Sequence, residues 1–330
     1  MILAGDIGGT NARLALFSRD GLRTIDRATF ESRKYPGLEP IVREFLASRR
    51  ANLRAACFGV AGPVVSGRCV ATNLPWVIDG KRLARAVGLP SVQLHNDLVA
   101  LAFGALRAPA SRIMPLSGRA RPRRSGANIA VIAAGTGLGE AALVWDGDKH
   151  VPCATEGGHV DFAARNALEW ELRAYAEKRL GSHVSYERVV SGPGIGLLYD
   201  FFHHARGVAE NRRAEDAIRR AADRNAEITH LAMSRESVPA TRALELFASL
   251  YGAEAGNLAL KTMATGGVYV AGNIAGHVFD KLAGGAFMKA FVDKGRFRAM
   301  LEKTPVAVVR GTELGLAGSA ALAARSLAKR

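Results

Sequence analysis

The feature that most constrains this chain is a plan that occurs twice. Residues 2 to 17, ILAGDIGGTNARLALF, run apolar, then glycine-rich, then apolar again. Residues 127 to 145, ANIAVIAAGTGLGEAALVW, repeat it with the acid removed, since Ala133 and Ala134 stand near where Asp6 would. Each stretch reads as two strands across a glycine turn. Two such hairpins in one chain predict two related halves facing each other.

The rest of the pattern alternates strand and helix. A third strand is expected near 22 to 30. LEPIVREFLASRR has helical spacing, with Ile41, Phe45 and Leu46 on one face. AACFGVAGP is a buried strand ending at Gly62-Pro63, and GRCVATN is its candidate partner. A helix near 79 to 87, the strand SVQLH and a helix opening at Asp97 follow. The order βββαβαβα mixes antiparallel hairpins with parallel crossovers, which is an α/β layer structure. Residues 108 to 126, rich in Pro, Arg, Ser and Gly, read as a linker. After the second hairpin come helices over 167–180, 185–205, 214–232 and 240–264. Strands at 266–272 and 305–309 and a helix over 313–327 close the chain. At 330 residues and 48% apolar, it can bury one large core or two ordinary ones.

Several classes are disfavoured. No apolar run is long enough to cross a bilayer. Met1-Ile2-Leu3 leads straight into the glycine motif, leaving no room for a leader, and Ala328-Lys329-Arg330 is no recognisable sorting signal. Cys57, Cys69 and Cys153 are far apart and lack CxxC spacing. A reduced, cytoplasmic protein is expected. The net charge of +15 would attract polyanions. Its one cluster, RARPRR at 119 to 124, reads as an exposed loop, because no helix-turn-helix, zinc finger or RNA-binding motif accompanies it. Neither nucleic acid nor membrane is an expected partner.

The glycine turns carry the candidate chemistry. Gly8 and Gly9 leave backbone N–H groups open to form an anion nest, and Thr10 and Asn11 add donors. Asp6 beside a phosphate makes sense only with a cation between them, and Mg²⁺ needs few protein ligands. The same residues also fit a plain hairpin turn capped by an acid. Gly135, Thr136, Gly137 and Gly139 form a second nest with no acid. Two nests, one with a metal-holding carboxylate, suit a polyphosphate. Neither a GxGxxG dinucleotide fingerprint, nor GxxxxGK[ST], nor a protein-kinase motif set is present.

Polar residues at other turns complete the set. Asp97 follows a strand and opens a helix, so it is either an N-cap or the base of a phosphoryl transfer to an alcohol. Asn96 beside it can bond a neighbouring hydroxyl. In TEGGHVDF, Gly157-Gly158 forces a turn that brings Glu156 and His159 to one side. They suit vicinal hydroxyls, a weak metal pair or an ordinary polar turn. Glu187 falls in the first turn of an expected helix, where the dipole alone favours an acid. GGVYVAGNI is either a tightly packed central strand or a surface for a flat ring.

Taken in order, GDIGGTNARLAL, NDLVALAFGA, GTGLG, EGGHVDF, ERVVSGPG, NLAL with GGVYVAGNI, and KGRF with GLAGSAAL resemble the bacterial ATP-dependent glucokinases over nearly the whole chain. The resemblance implies a two-domain actin-like ATPase (ribonuclease H-like) fold with mixed sheets and an interdomain cleft. Residues 1–107 plus 312–330 would form the small α/β domain and 108–311 the large one. It implies transfer of the γ-phosphoryl of Mg·ATP to the 6-hydroxyl of glucose, with ATP and Mg²⁺ as cofactors. Asp97 matches the catalytic base, and Asn96, Asp97, Glu156, His159 and Glu187 match the sugar ligands. Gly5, Asp6, Ile7, Gly8, Gly9, Thr10 and Asn11 match the first phosphate loop, with Asp6 toward the metal. Gly135, Thr136 and Gly137 match the second loop, and Gly272 lies in the adenosine segment. The C-terminal helix would return to the first domain as a hinge partner. The family is commonly dimeric. The chain departs from its pattern at Leu74, Pro75, Ala133 and Asn273, and it lacks the zinc-binding cysteines of the related repressor-type sugar kinases. The alternatives are a kinase for another hexose or amino sugar, a non-catalytic sugar sensor, or a polymerising ATPase.

Overall fold

The computed structural model describes residues 1–118, 121–122, 125–181 and 183–327. The tripeptide 328–330 and most of the arginine cluster at 119–124 lie outside them. Contacts divide the chain into two compact units. One holds Met1–Arg112, Pro152–Ala154 and Gly311–Arg330; the other holds Ile113–Val151 and Thr155–Arg310.

The first unit begins with a meander. β1 (Ile2–Ile7), β2 (Asn11–Phe17) and β3 (Thr24–Glu31) are antiparallel, with Gly5 opposite Leu14 and Asp6 opposite Arg13. α1 (Leu38–Ala47) buries Leu38, Ile41, Val42 and Phe45; Ile41 and Phe45 of the expected stripe are in it, and Leu46 is only half-buried. It leads to β4 (Ala55–Val60), which runs parallel to β1. Every residue of β4 is buried, as expected of a strand covered on both faces. A small antiparallel sheet follows, made of β5 (Val64–Val65), β6 (Arg68–Val70) and β7 (Val77–Asp79). Asp79 then caps α2 (Gly80–Val87) by accepting from the Lys81 and Arg82 amides. β8 (Gln93–Asn96) adds parallel to β4 and runs directly into α3 (Asp97–Arg107). The sheet order is β3-β2-β1-β4-β8.

The second unit repeats that order. β9 (Ile113–Pro115) is a short edge strand. β10 (Ile129–Ala134), β11 (Leu138–Trp145) and β12 (His150–Ala154), whose last three residues are grouped with the first unit, come next. The helices α4 (Ala167–Leu180), α5 (Gly192–Asp200), α6 (Arg212–Arg220), α7 (Arg224–Ser234) and α8 (Val238–Lys261) intervene before β13 (Gly267–Ala271). Then come α9 (Gly272–His277), α10 (Phe279–Ala283), α11 (Ala286–Val292), α12 (Arg298–Lys303) and β14 (Val306–Val309). β13 and β14 extend the sheet parallel to β10, giving β12-β11-β10-β13-β14-β9. Apart from the added edge β9, both sheets follow one order: third, second, first, fourth, fifth strand.

The last helix, α13 (Leu314–Leu327), belongs to the first unit. The wholly buried Ser319 donates to the Gly5 carbonyl at 2.8 Å and accepts from the Gly59 amide at 3.2 Å. One hydroxyl thereby ties α13 to β1 and β4.

Five readings need correction. GRCV, expected to partner the strand at 55–60, forms β6 and pairs with β5 and β7 in a separate sheet. The linker at 108–126 contains β9, which pairs antiparallel with β14. The helix expected over 185–205 starts only at Gly192, where Ser191 accepts from the Gly194 amide and Pro193 fits the first turn; its end, Phe201–Ala205, winds as a π-helix. Glu187 therefore sits in a separate turn, Tyr186–Arg188. The helix expected over 214–232 is two helices, because Asp223 caps a new start at Arg224. Among the described residues no helix is long and apolar enough to cross a membrane.

Candidate active site

In the first unit, the turn after β1 is closed by the Gly8 amide donating to the Asn11 carbonyl at 2.9 Å. Ser32, just past β3, pins it from outside: its amide donates to the Thr10 carbonyl and its hydroxyl to the Gly8 carbonyl, both at 2.9 Å. Gly9 must be glycine for lack of room, since a Cβ there would meet Asn73 at 2.7 Å. Gly5 and Ile7 are buried in β1 and present only backbone, and a Cβ on Gly5 would lie 2.3 Å from the Phe58 ring. Thr10 is exposed at the tip. Asp6, the last residue but one of the strand, has its carboxylate 3.2 Å from the Arg13 guanidinium. Burial raises its pKa above the usual aspartate value, and Arg13 opposes that rise.

Asn96 and Asp97 stand where β8 becomes α3. The sequence left open whether Asp97 caps this helix. Asn96 does so, accepting from the Leu98 amide at 2.9 Å while its own amide donates to the Gly62 carbonyl at 3.3 Å. That places Asp97 in the first helical turn, where the dipole stabilises an anion. Its Oδ1 also accepts from the Leu98 amide at 3.0 Å. Gly59 of β4 lies beneath; a Cβ there would be 2.7 Å from Ala100 and 3.6 Å from the Asp97 Cα.

In the second unit, the Gly135 amide donates to the Gly137 carbonyl at 2.8 Å, which closes the β10–β11 turn. The Gly192 amide donates to the Gly135 carbonyl at 2.8 Å, joining the start of α5 to the same turn. Nothing lies within 4 Å of a Cβ built on Gly135, so that side is open. Gly272 has φ +87 and passes so near the Ala134 carbonyl that a Cβ would sit 2.4 Å from it. Only glycine combines that backbone with that approach. Beside Thr136 a cavity of about 270 Å³ is lined by Arg179, Arg188, Ser191, Asp200 and Arg224 among others.

The turn Gly157–His159 packs on β11, and a Cβ on Gly158 would be 1.9 Å from the Leu138 carbonyl oxygen. Glu156 and His159 are both exposed, and the His159 amide donates to the Glu156 carbonyl at 3.0 Å. Glu187 joins the two motifs of this unit. Its Oε2 accepts from the Leu138 amide at 3.0 Å, just past the second glycine turn, and lies 4.0 Å from the His159 Nε2.

Sequence reasoning passed over two carboxylates under this turn. Glu140 of β11 and Glu254 of α8 are buried, and Glu140 is pushed up to about 8 by burial first and by Glu254's charge second. The signal was present: Glu254 falls on the apolar stripe Phe247, Leu250, Tyr251, Leu258 of α8. Tyr251 was also missed; its hydroxyl accepts from the Ala134 amide at 3.0 Å and lies 3.3 Å from the Ala271 carbonyl, bracing β10 against β13.

The chain matches the family model described as Glucokinase over residues 3–326. The chain belongs to the glucokinase family. It is 38% identical to the glucokinase of Synechocystis sp. and 37% to that of Nostoc punctiforme, covering 98% of itself in each case and 98% and 99% of those proteins. Among solved structures it is similar to a glucokinase from an Antarctic psychrotroph, at 30% identity and a TM-score of 0.82, over 98% of both chains. The α/β fold with mixed sheets is thus the glucokinase fold.

Proposed function

We propose that the protein transfers the γ-phosphoryl of ATP to the 6-hydroxyl of glucose, giving glucose 6-phosphate and ADP. The observation that carries the site assignment is Glu187, a single carboxylate engaged by the second glycine turn and set beside His159. It couples the residues suited to a phosphate chain with those suited to sugar hydroxyls. Glu156, His159 and Glu187 would hold the hydroxyls of glucose, with carboxylates accepting and the imidazole donating or accepting. Asn96 would add its carboxamide. The glycine turns at 5–11 and 135–137 would hold the phosphates by backbone amides, and Gly272 would lie along the adenosine.

Asp97 would accept the proton of the 6-hydroxyl as that oxygen bonds to the γ-phosphorus, and the bond to the bridging oxygen of ADP would break. In a loose transition state the proton leaves late, so orientation counts for more than basicity. Capping by Asn96 and the close floor of Gly59 supply that orientation. Among the described residues no group of three or more His, Cys, Asp or Glu could hold a metal. Asp6 alone, already paired with Arg13, therefore suits a Mg²⁺ that arrives on the nucleotide and keeps its waters. When bound, such an ion neutralises phosphate charge.

The repeated strand order supports an actin-like, ribonuclease H-like reading of both units, with the unit that carries Asp97 as the small domain. A cytoplasmic homodimer is the expected form, and sedimentation would show its mass. A coupled assay across hexoses, run with ATP, ADP and polyphosphate, tests the activity. Glucose with ATP should give the highest kcat/KM. ATP left unconsumed with every hexose would favour a sugar sensor instead.

A further inference from the structure

Glu140 and Glu254 meet in the core of the second unit and take no part in the chemistry above. Glu140 is 1% exposed on β11, and Glu254 is wholly buried on α8. Two ionised carboxylates cannot share so dry a place. Glu254 is served as the anion: Lys261 Nζ stands 3.2 Å from its Oε1, and Asn257 Nδ2 donates to its Oε2 at 2.7 Å. Glu140 has no such service. Among the described residues no donor reaches its buried Oε1. A carboxyl oxygen without a donor, set beside an anion, is satisfied by carrying the proton and donating it.

The place of the pair gives it a use. The other Glu140 oxygen is the floor beneath Gly157, where a Cβ would come within 2.0 Å of it. The Glu140 carbonyl accepts from the Thr155 hydroxyl at 3.1 Å, and that hydroxyl accepts from the Gly157 amide at 3.1 Å. On the other side, Asn257 also donates to the Tyr186 hydroxyl at 3.1 Å, next to Glu187. The pair thus underlies both turns that present the sugar-binding side chains.

We propose that Glu140, neutral and donating to Glu254, is a positioning residue that seats the turn at 156–159 for glucose. Removing its proton sets two anions against each other beneath Gly157 and unseats Glu156 and His159. This rests on the reading of Glu156, His159 and Glu187 as sugar ligands.

The surroundings fix the direction of the effect. Burial and Glu254 push the Glu140 pKa up to about 8, and Lys261 of α8 opposes them. Tyr251 of α8 also feels the Glu140 charge, while Tyr186 and Lys294 feel that of Glu254, with Arg165 acting on both of them. The proton is therefore present at neutral pH and leaves above pH 8. If only the neutral form seats the turn, the competent fraction one pH unit above the Glu140 pKa is about one-tenth, so KM for glucose there rises about tenfold at unchanged kcat.

The test is kcat and KM for glucose from pH 6.5 to 9.5, in the wild type and in Glu140→Gln, with infrared spectra of both. The Glu140→Gln amide can donate to Glu254 and has no proton to lose. Its KM should stay flat while that of the wild type climbs. A protonated-carboxyl band should titrate away near pH 8 in the wild type and be missing from the variant. A flat wild-type KM, an equal climb in Glu140→Gln, or no such band would overturn the proposal. If the variant does not fold, the wild-type band and KM profile still decide it. Calorimetric glucose binding by Glu156→Gln and Glu187→Gln at pH 7 tests the sugar-ligand reading separately. Unweakened binding there, with the band intact, would leave the acid pair real but remove its role in positioning glucose.

Discussion

Gly318→Ala is a one-carbon change aimed at the joint between the last helix and the helix that carries Asp97. A Cβ on Gly318 would lie 1.6 Å from the Ala100 carbonyl oxygen and 2.7 Å from the Gly104 amide nitrogen. Both neighbours are backbone, so no side chain can swing aside. Reaching ordinary contact requires α3 and α13 to part by about 2 Å at the crossing. Ser319 is the next residue and moves with α13. Its bonds to Gly5 and Gly59, at 2.8 and 3.2 Å, would both stretch beyond hydrogen-bonding range. Two such bonds are worth about 1 kcal/mol each, and overpacking adds about 1–3 kcal/mol. The sum, ~3–5 kcal/mol, corresponds to a fall in Tm of ~6 °C or more for a unit of this size. Differential scanning calorimetry reads it directly. Turnover should fall too, because α3 carries Asp97 at its first turn. A Tm within about 2 °C of wild type, with full activity, would refute the reasoning about this joint.

Two further substitutions separate stability from chemistry. Gly135→Ala has open space for its Cβ, so its stability should stay within about 0.5 kcal/mol. Its KM for ATP should rise about tenfold, the worth of one misplaced phosphate contact of ~1.4 kcal/mol. Steady-state kinetics beside a melt check both halves. Asp6→Asn should raise Tm at pH 7 while lowering kcat. Burial lifts the Asp6 pKa above its unfolded value, so its contribution to folding is full below the unfolded pKa and is lost as pH rises through the folded one. The gain in Tm should therefore shrink as pH falls toward the ordinary aspartate range, which melts across that range would show.

The sheet frame was legible because its evidence is local. Each glycine turn between apolar runs marks a hairpin, and the fully apolar AACFGV marks a strand covered on both sides. The α4 boundaries, Ala167–Leu180, follow from the Asn166 cap and the Gly181 stop. What was missed depends on partners far away in sequence. Ile113–Pro115 is too short to announce itself and is a strand only because β14 pairs with it. β12 lies beyond a turn in which Asp146 accepts from the Asp148 and Lys149 amides. At the candidate site the motif residues were readable one by one, but their supports were not. Asn73 against Gly9, Ser32 on the Gly8 carbonyl and Glu140 beneath Gly157 are tertiary facts. Asn96 shows the limit from the other side: its sequence gives no sign that one end of its amide accepts from the Leu98 amide and the other donates to the Gly62 carbonyl, bonds that hold it in place and leave a second amide hydrogen for a hydroxyl.

The central claim is that Asp97 takes the proton of the sugar alcohol. Asp97→Asn keeps the size and the helix start while removing the charge, so calorimetry should show glucose bound nearly as well as by the wild type. Turnover with ATP should fall by roughly 10²–10⁴. Glucose bound normally and turnover still within tenfold of wild type would contradict the account.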